Sequence, residues 1–162
     1  MLKKISSSGL RWLWLAVMVL LFDRVTKYCA QKYLLAYYAQ PVIPGFNLTL
    51  SFNKGAAFSF LNSESGWQVW FFGTIALTVS VGIIVWLARL SVRERWVAAA
   101  LSLIVGGALG NLWDRISYGH VIDFIQLYVS HYYWPTFNIA DSAICIGAVI
   151  LFANAILNPN KN

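Results

Sequence analysis

Between Gly106 and Ser142 the chain reads GGALGNLWDRISYGHVIDFIQLYVSHYYWPTFNIADS, a polar and acidic insert between two apolar runs. It holds Asp114, Asp123 and Asp141, three of the six acidic residues in the chain. The flanking runs read as membrane helices, one ending near Trp113 and the next beginning near Asn138, which puts all three carboxylates at one membrane face. A carboxylate at the edge of a bilayer, or inside it, is costly unless paired or protonated, so these residues are functional candidates by default.

Over 162 positions, 59% hydrophobic and 11% charged residues exclude a soluble domain and leave room for one integral membrane domain, 1–162. The net charge of +6 is scattered at the ends of apolar runs. That argues against a nucleic-acid partner and for anionic headgroups. Cys29 and Cys145 lie far apart, the second inside an apolar run and expected to be buried, so neither a disulfide nor a metal site is expected.

Lys3, Lys4 and Arg11 before an apolar run imitate a secretory signal, but Asp23, Arg24 and Lys27 stand where small residues should precede a cleavage site. The expectation is an uncleaved first span over about 10–28, with further spans over 67–87, 96–113 and 139–157. Arg89, Arg93 and Arg95 in one short loop mark the cytoplasmic side, so both termini are expected inside and the connections 31–66 and 114–138 outside. In the first connection, Phe46 to Asn53 alternates apolar and polar, the pattern of a strand with one wet face and one greasy face. Asn53-Lys54-Gly55 reads as a turn, and Ala56 to Phe60 as a returning strand. The fold class is thus an all-α membrane protein, four transmembrane helices with a small extracytoplasmic β-hairpin/sheet element and an extracytoplasmic interfacial segment. Tyr128, Tyr132, Tyr133 and Trp134 suit an interfacial belt at the outer end of the last helix.

Asn111, Asp114 and Arg115 share a helix face and read either as a self-satisfied polar knot or as part of a site. Asp23 and Lys27, spaced i,i+4, read as a structural ion pair. Asp123 and Asp141 have no basic residue within a helical turn, and Asn138 lies on the face of Asp141. Two carboxylates sharing an apolar site do not both ionise easily; one keeps its proton while the other acts as a base. An aspartic hydrolase needs this arrangement, and a proton carrier uses it equally well. His120 and His131 lack the further ligands a metal site needs.

At these residues the chain resembles the lipoprotein signal peptidases, or signal peptidase II, in blocks spread over essentially its whole length. Asp23-Arg24-Val25-Thr26-Lys27 is similar to the family's Asp-x-x-Thr-Lys block, and Asn53-Lys54-Gly55-Ala56-Ala57-Phe58 to its second. The third runs from Gly110-Asn111-Leu112-Trp113-Asp114-Arg115 to Gly119-His120-Val121-Ile122-Asp123-Phe124, and Phe137-Asn138-Ile139-Ala140-Asp141-Ser142 is the fourth. The resemblance implies an aspartic endopeptidase of the bacterial cytoplasmic (inner) membrane. It would cut a prolipoprotein before the cysteine that bears a diacylglyceryl group, with its active site at the extracytoplasmic face. It implies Asp123 and Asp141 as the catalytic pair, Asn53, Asn111, Arg115, Asn138 and Ala140 as lining or supporting residues, and Asp23, Lys27 and Asp114 as structural ones. It further implies no cofactor and no metal, membrane lipids as surroundings, inhibition by globomycin-type cyclic peptides, and action as a monomer. The rival readings are a small proton-coupled carrier or channel subunit, and a non-catalytic assembly factor. A carrier is disfavoured by the lack of an inverted repeat.

Overall fold

The computed structural model describes residues 9–55 and 66–157. After a 3-10 turn at Leu10–Trp12 come α1 (Leu13–Tyr33), β1 (Ala39–Ile43), β2 (Phe46–Asn53) and α2 (Trp67–Leu87). Then follow α3 (Arg95–Tyr118), β3 (Val121–Val129), β4 (Tyr132–Tyr133) and α4 (Ile139–Leu157). Among the described residues α2, α3 and α4 are long and apolar enough to cross a membrane. Helix α3 is central: it packs against α1, α2 and α4, and 56% of its apolar window is buried, against 17% in α2 and in α4. Small residues permit this. A Cβ on Gly106 would lie 2.8 Å from the Ala16 carbonyl oxygen of α1, and one on Gly147 of α4 would lie 2.6 Å from the Ala100 carbonyl oxygen of α3. Backbones approach this closely only where side chains are absent.

The four strands form a single antiparallel sheet in the order β1-β2-β3-β4, larger than the expected hairpin. Strand β2 pairs with β1 on one side and β3 on the other. The expected return over 56–60 lies outside the described residues. The stretch expected as an interfacial segment supplies β3 and β4, because its apolar residues Ile122 and Phe124 pack with Ala30 of α1 and Leu50 of β2 in a small core beneath the sheet. The Tyr128 and Tyr133 rings stack at 5.3 Å across β3 and β4, so these aromatics belong to the sheet.

Two helices outrun their expected ends. Helix α1 continues to Tyr33, and α3 runs past Trp113 to Tyr118, where Gly119 stops it in the left-handed region at φ +72°. Asp114 and Arg115 therefore lie within α3. Cys145, expected to be buried, is exposed on the outer face of α4, and Cys29 is exposed on α1.

The expected knot of Asn111, Asp114 and Arg115 is also rearranged. Asp114 turns to α1, 2.7 Å from Lys27 Nζ and 2.6 Å from Arg24 Nη1, and leaves Arg115 unpaired with it. The expected pair of Asp23 with Lys27 forms at 2.9 Å, and Arg24 lies 2.8 Å from Asp23 as well. Asp23, Lys27 and Asp114 are all fully buried, Lys27 at 1% exposure, so the charges balance each other away from solvent. Removing one member of such a cluster strands the others, at a cost of about 3–5 kcal/mol. Lys27→Met is therefore expected to lower the thermal unfolding temperature of the detergent-solubilised protein by many degrees. An unchanged transition would show that the cluster carries no stability.

Candidate active site

The site lies where the C-terminal half of α3, the start of β3 and the first turn of α4 meet. Asn138 caps α4: its Oδ1 accepts the Asp141 backbone N–H at 2.9 Å, and its own N–H donates to Asp141 Oδ2 at 3.2 Å. This is a reciprocal capping box built from Asn and Asp. The next orphan donor, the Ala140 N–H, goes to Asp23 Oδ1 at 3.0 Å. Ala140 is fully buried, and a Cβ added to Gly110 of α3 would lie 3.3 Å from the Ala140 Cβ.

From this cap the Asn138 side chain reaches across to β3, its Nδ2 donating to Asp123 Oδ1 at 2.7 Å. One residue thus hydrogen-bonds both acids. Asn111 of α3 holds the other side, donating from Nδ2 to Asp141 Oδ1 at 2.7 Å. Its Oδ1 accepts from Lys27 Nζ at 3.1 Å and Asn138 Nδ2 at 3.2 Å. The second oxygen of Asp123 accepts from Asn53 Nδ2 at 3.2 Å, and the Gly55 N–H donates to Asn53 Oδ1 at 2.9 Å, which fixes which way that amide points. Arg115 Nη2 in turn holds the Gly55 carbonyl at 3.3 Å, while Nη1 donates to the Asn111 carbonyl at 3.2 Å. All ten residues expected at or near the site therefore belong to one connected cluster.

Burial, reinforced by the neighbouring Asp141 carboxylate, pushes the Asp123 carboxyl from 3.8 up to about 7, against the pull of Asn53, Asn138 and Lys27. Asp123 opens onto a cleft of roughly 490 Å³ over the sheet, lined among others by Thr49, Ser51, Asn53 and Gln126 and rimmed by Tyr37, Tyr133 and Trp134. His120 packs edge-on against Phe52 at 4.8 Å. It serves the sheet as a ring.

Four participants escaped sequence reasoning. Arg24 neutralises Asp23 and Asp114, but the second partner is distant in sequence and leaves no local signal. Asn47 and Thr49, expected on a wet face, are buried and both donate to Gln126 Oε1, at 3.1 and 3.2 Å. Gln126 is three residues from Asp123, an odd spacing that puts two side chains on opposite faces of a regular strand. The ladder is not regular: Leu48 pairs with Ile125 but Ser51 with Asp123, so Thr49 and Leu50 together face Phe124. The N–H groups of Phe124 and Ile125 both donate to the Phe137 carbonyl. This bulge brings Asp123 and Gln126 to the same cleft.

A family model described as Signal peptidase (SPase) II matches residues 15–157. The chain belongs to the signal peptidase II family. It is 50% identical over 159 residues to the lipoprotein signal peptidase of Yersinia enterocolitica, covering 98% of this chain and 94% of that one. The lipoprotein signal peptidase of Photorhabdus laumondii is also 50% identical, over 98% of this chain and 95% of its own. Among solved structures, a bacterial membrane enzyme determined by the in meso method at 2.3 Å resolution superposes with a TM-score of 0.83 at 32% identity, covering 94% of this chain and 91% of that one. A second, at 1.9 Å, gives 0.77 at 33% identity, with 94% of each chain covered.

The raised Asp123 carboxyl makes a prediction about stability. Folded Asp123 holds its proton more tightly than unfolded chain does, so its contribution to stability is complete below about pH 4 and is lost as the pH rises towards about 7. Asp123→Asn removes this penalty. Its gain in unfolding temperature over the unaltered protein is expected to be larger at about pH 8 than at about pH 5. A gain of equal size at both pH values would mean that Asp123 titrates as an ordinary carboxylate.

Proposed function

We propose that this chain is an aspartic endopeptidase that removes the signal peptide from diacylglyceryl-modified prolipoproteins, cutting before the lipidated cysteine. Family membership supports the protease and its substrate class, and one observation carries the aspartic mechanism: Asn138 hydrogen-bonds Asp123 from its side chain and Asp141 from its backbone. The two acids are thereby held for joint work on one bond. In this reading Asp123 carries the shared proton, in keeping with its raised carboxyl. Asp141, in the first turn of α4 where the helix dipole favours an anion, is the base. Asp141 takes a proton from water, and the oxygen attacks the scissile carbonyl carbon while Asp123 donates a hydrogen bond to the carbonyl oxygen. The C–N bond then breaks, and the proton held by Asp141 passes to the departing cysteine nitrogen. Asn53, Asn111 and Asn138 keep the carboxylates aimed; Arg115 and Ala140 support them; Asp23, Lys27 and Asp114 hold the frame. No metal or organic cofactor enters these steps. The proton-coupled carrier, the rival use of the same acids, is not favoured by the family.

The same reading places the chain in the bacterial inner membrane as one four-span domain, acting as a monomer among membrane lipids and inhibited by globomycin-type cyclic peptides. Helix α1 is the fourth span. Its charges turn inward to α3, while Trp14, Val17, Met18, Leu21, Phe22 and Val25 form an exposed apolar face suited to lipid. The sheet and both acids then lie outside, with the arginine loop and both termini in the cytoplasm.

Single cysteines at Ser91 and at His131, both exposed, test the topology in a background lacking Cys29 and Cys145. An impermeant reagent added to intact cells is expected to label position 131 and spare 91; the reverse would overturn the orientation. For the mechanism, the cleavage rate of a diacylglyceryl-modified prolipoprotein per folded molecule is the measurement. Asp123→Asn and Asp141→Asn should each lose about a thousandfold or more, and the double variant little beyond that, because residues acting as a unit are non-additive. Full activity in either single variant would end the dyad assignment.

A further inference from the structure

The cleft above the sheet extends well beyond Asp123, and its lining is unlike the rest of the surface. The helices expose apolar side chains, whereas this cleft presents Thr49, Ser51, Asn53 and Gln126. Gln126 is held in one orientation, since its Oε1 accepts from both Asn47 Nδ2 and Thr49 Oγ1. Both of those residues are buried, so neither is free to swing away. With the oxygen committed, Gln126 Nε2 is left as a donor with no partner among the described residues, on a side chain that lines the cleft. A fixed, unspent amide N–H in a groove is suited to a carbonyl oxygen of an extended polypeptide.

The direction of that polypeptide follows from β3. Val121 to Phe124 are buried against the helices and the small core, whereas Val129 and the turn after it are exposed. Gln126 therefore stands farther from the helices than Asp123 does, by three strand residues or roughly 10 Å. On the peptidase reading, the apolar segment of a signal peptide stays with the bilayer, so the chain that passes Gln126 is the one on the far side of the cut.

We infer that the cleft is the binding site for the polypeptide downstream of the lipidated cysteine, and that Gln126 Nε2 donates to a main-chain carbonyl about three residues beyond the scissile bond. Asn47 and Thr49 are positioning residues that aim the amide. A main-chain contact reads no side chain, so one site serves many substrates that share only the region around the cut. Tyr37, Tyr133 and Trp134 at the rim cover the chain without choosing its sequence. The inference rests on the peptidase reading and adds where the product's new N-terminal segment lies.

Gln126→Glu is the discriminating variant, because it keeps an oxygen for Asn47 and Thr49 and removes the donor. The full chain in detergent is assayed on two diacylglyceryl-modified substrates, one with a long segment after the cysteine and one truncated directly after it. The unaltered protein is expected to prefer the long substrate. Gln126→Glu should lower kcat/KM about tenfold on the long substrate, mainly through KM, and leave the truncated one unchanged. Thr49→Val, which loosens the amide, should show a smaller loss of the same kind. Equal losses on both substrates would overturn the assignment by showing that residue 126 acts through the charge or position of Asp123, and so would undiminished activity on the long substrate. Failure of the unaltered protein to cut either substrate would instead overturn the peptidase reading, and this inference with it.

Discussion

Lys27 brings a full positive charge into the junction of α1, α3 and α4, and its ammonium reaches three oxygens: Asp23 at 2.9 Å, Asp114 at 2.7 Å and Asn111 at 3.1 Å. Each of those partners has a second task. Asp23 accepts the Ala140 N–H and so finishes the N-terminus of α4. Asp114 accepts the Ile122 N–H at 3.2 Å and so anchors the start of β3. Asn111, its oxygen committed to Lys27, must offer its N–H to Asp141. One buried cation thus sets the positions from which Asp141 and Asp123 project. A buried ion pair is poor as a source of stability, since desolvation consumes most of the attraction. Here the cluster ties α1 to α3, α4 and β3, each of its charged groups finding a partner.

The two carboxylates beside this network are supported differently. Asp141 belongs to a helix cap, where the first turn of α4 supplies N–H groups and a favourable dipole. Asp123 belongs to a strand that passes through a small apolar core, and its only described hydrogen-bond donors are the amides of Asn53 and Asn138. Amides are neutral, so they orient an acid without forcing it to ionise. Lys27 stands behind Asn111, in ion-pair contact with neither of these two acids.

The sheet also reconciles two solvents. Its inner residues Leu50, Ile122 and Phe124 close onto α1, while the bulge gathers polar side chains from both β2 and β3 on the opposite side. The helices do the reverse and turn apolar residues outward, as on α2 with Trp70, Phe71, Leu77 and Val81. A chain of this size can then hold a cleft lined by polar side chains and an apolar exterior within one packed unit.

Much of this was legible in the residues themselves. Apolar runs of spanning length are local patterns, and local patterns follow from backbone geometry and hydrogen-bond supply alone; hence the helices at 67–87 and 139–157 lie where the sequence places them. Asp123 and Asp141 were singled out from the sequence as well, because an acid without a neighbouring base in an apolar setting needs a reason, and the structure brings both to Asn138. What the residues alone could not decide was pairing. Asp114 sits next to Arg115 in sequence yet bonds to Arg24 and Lys27, since adjacent side chains on a helix diverge while a packed neighbour's side chains converge. Likewise β2 finds β3 about seventy residues away, and the pairing of both Phe124 and Ile125 with one Phe137 carbonyl turns Gln126 to the face of Asp123. Partners distant in sequence, and the register at which they meet, are settled by how the helices pack and which buried polar groups must be satisfied; that decision exists only in the tertiary structure.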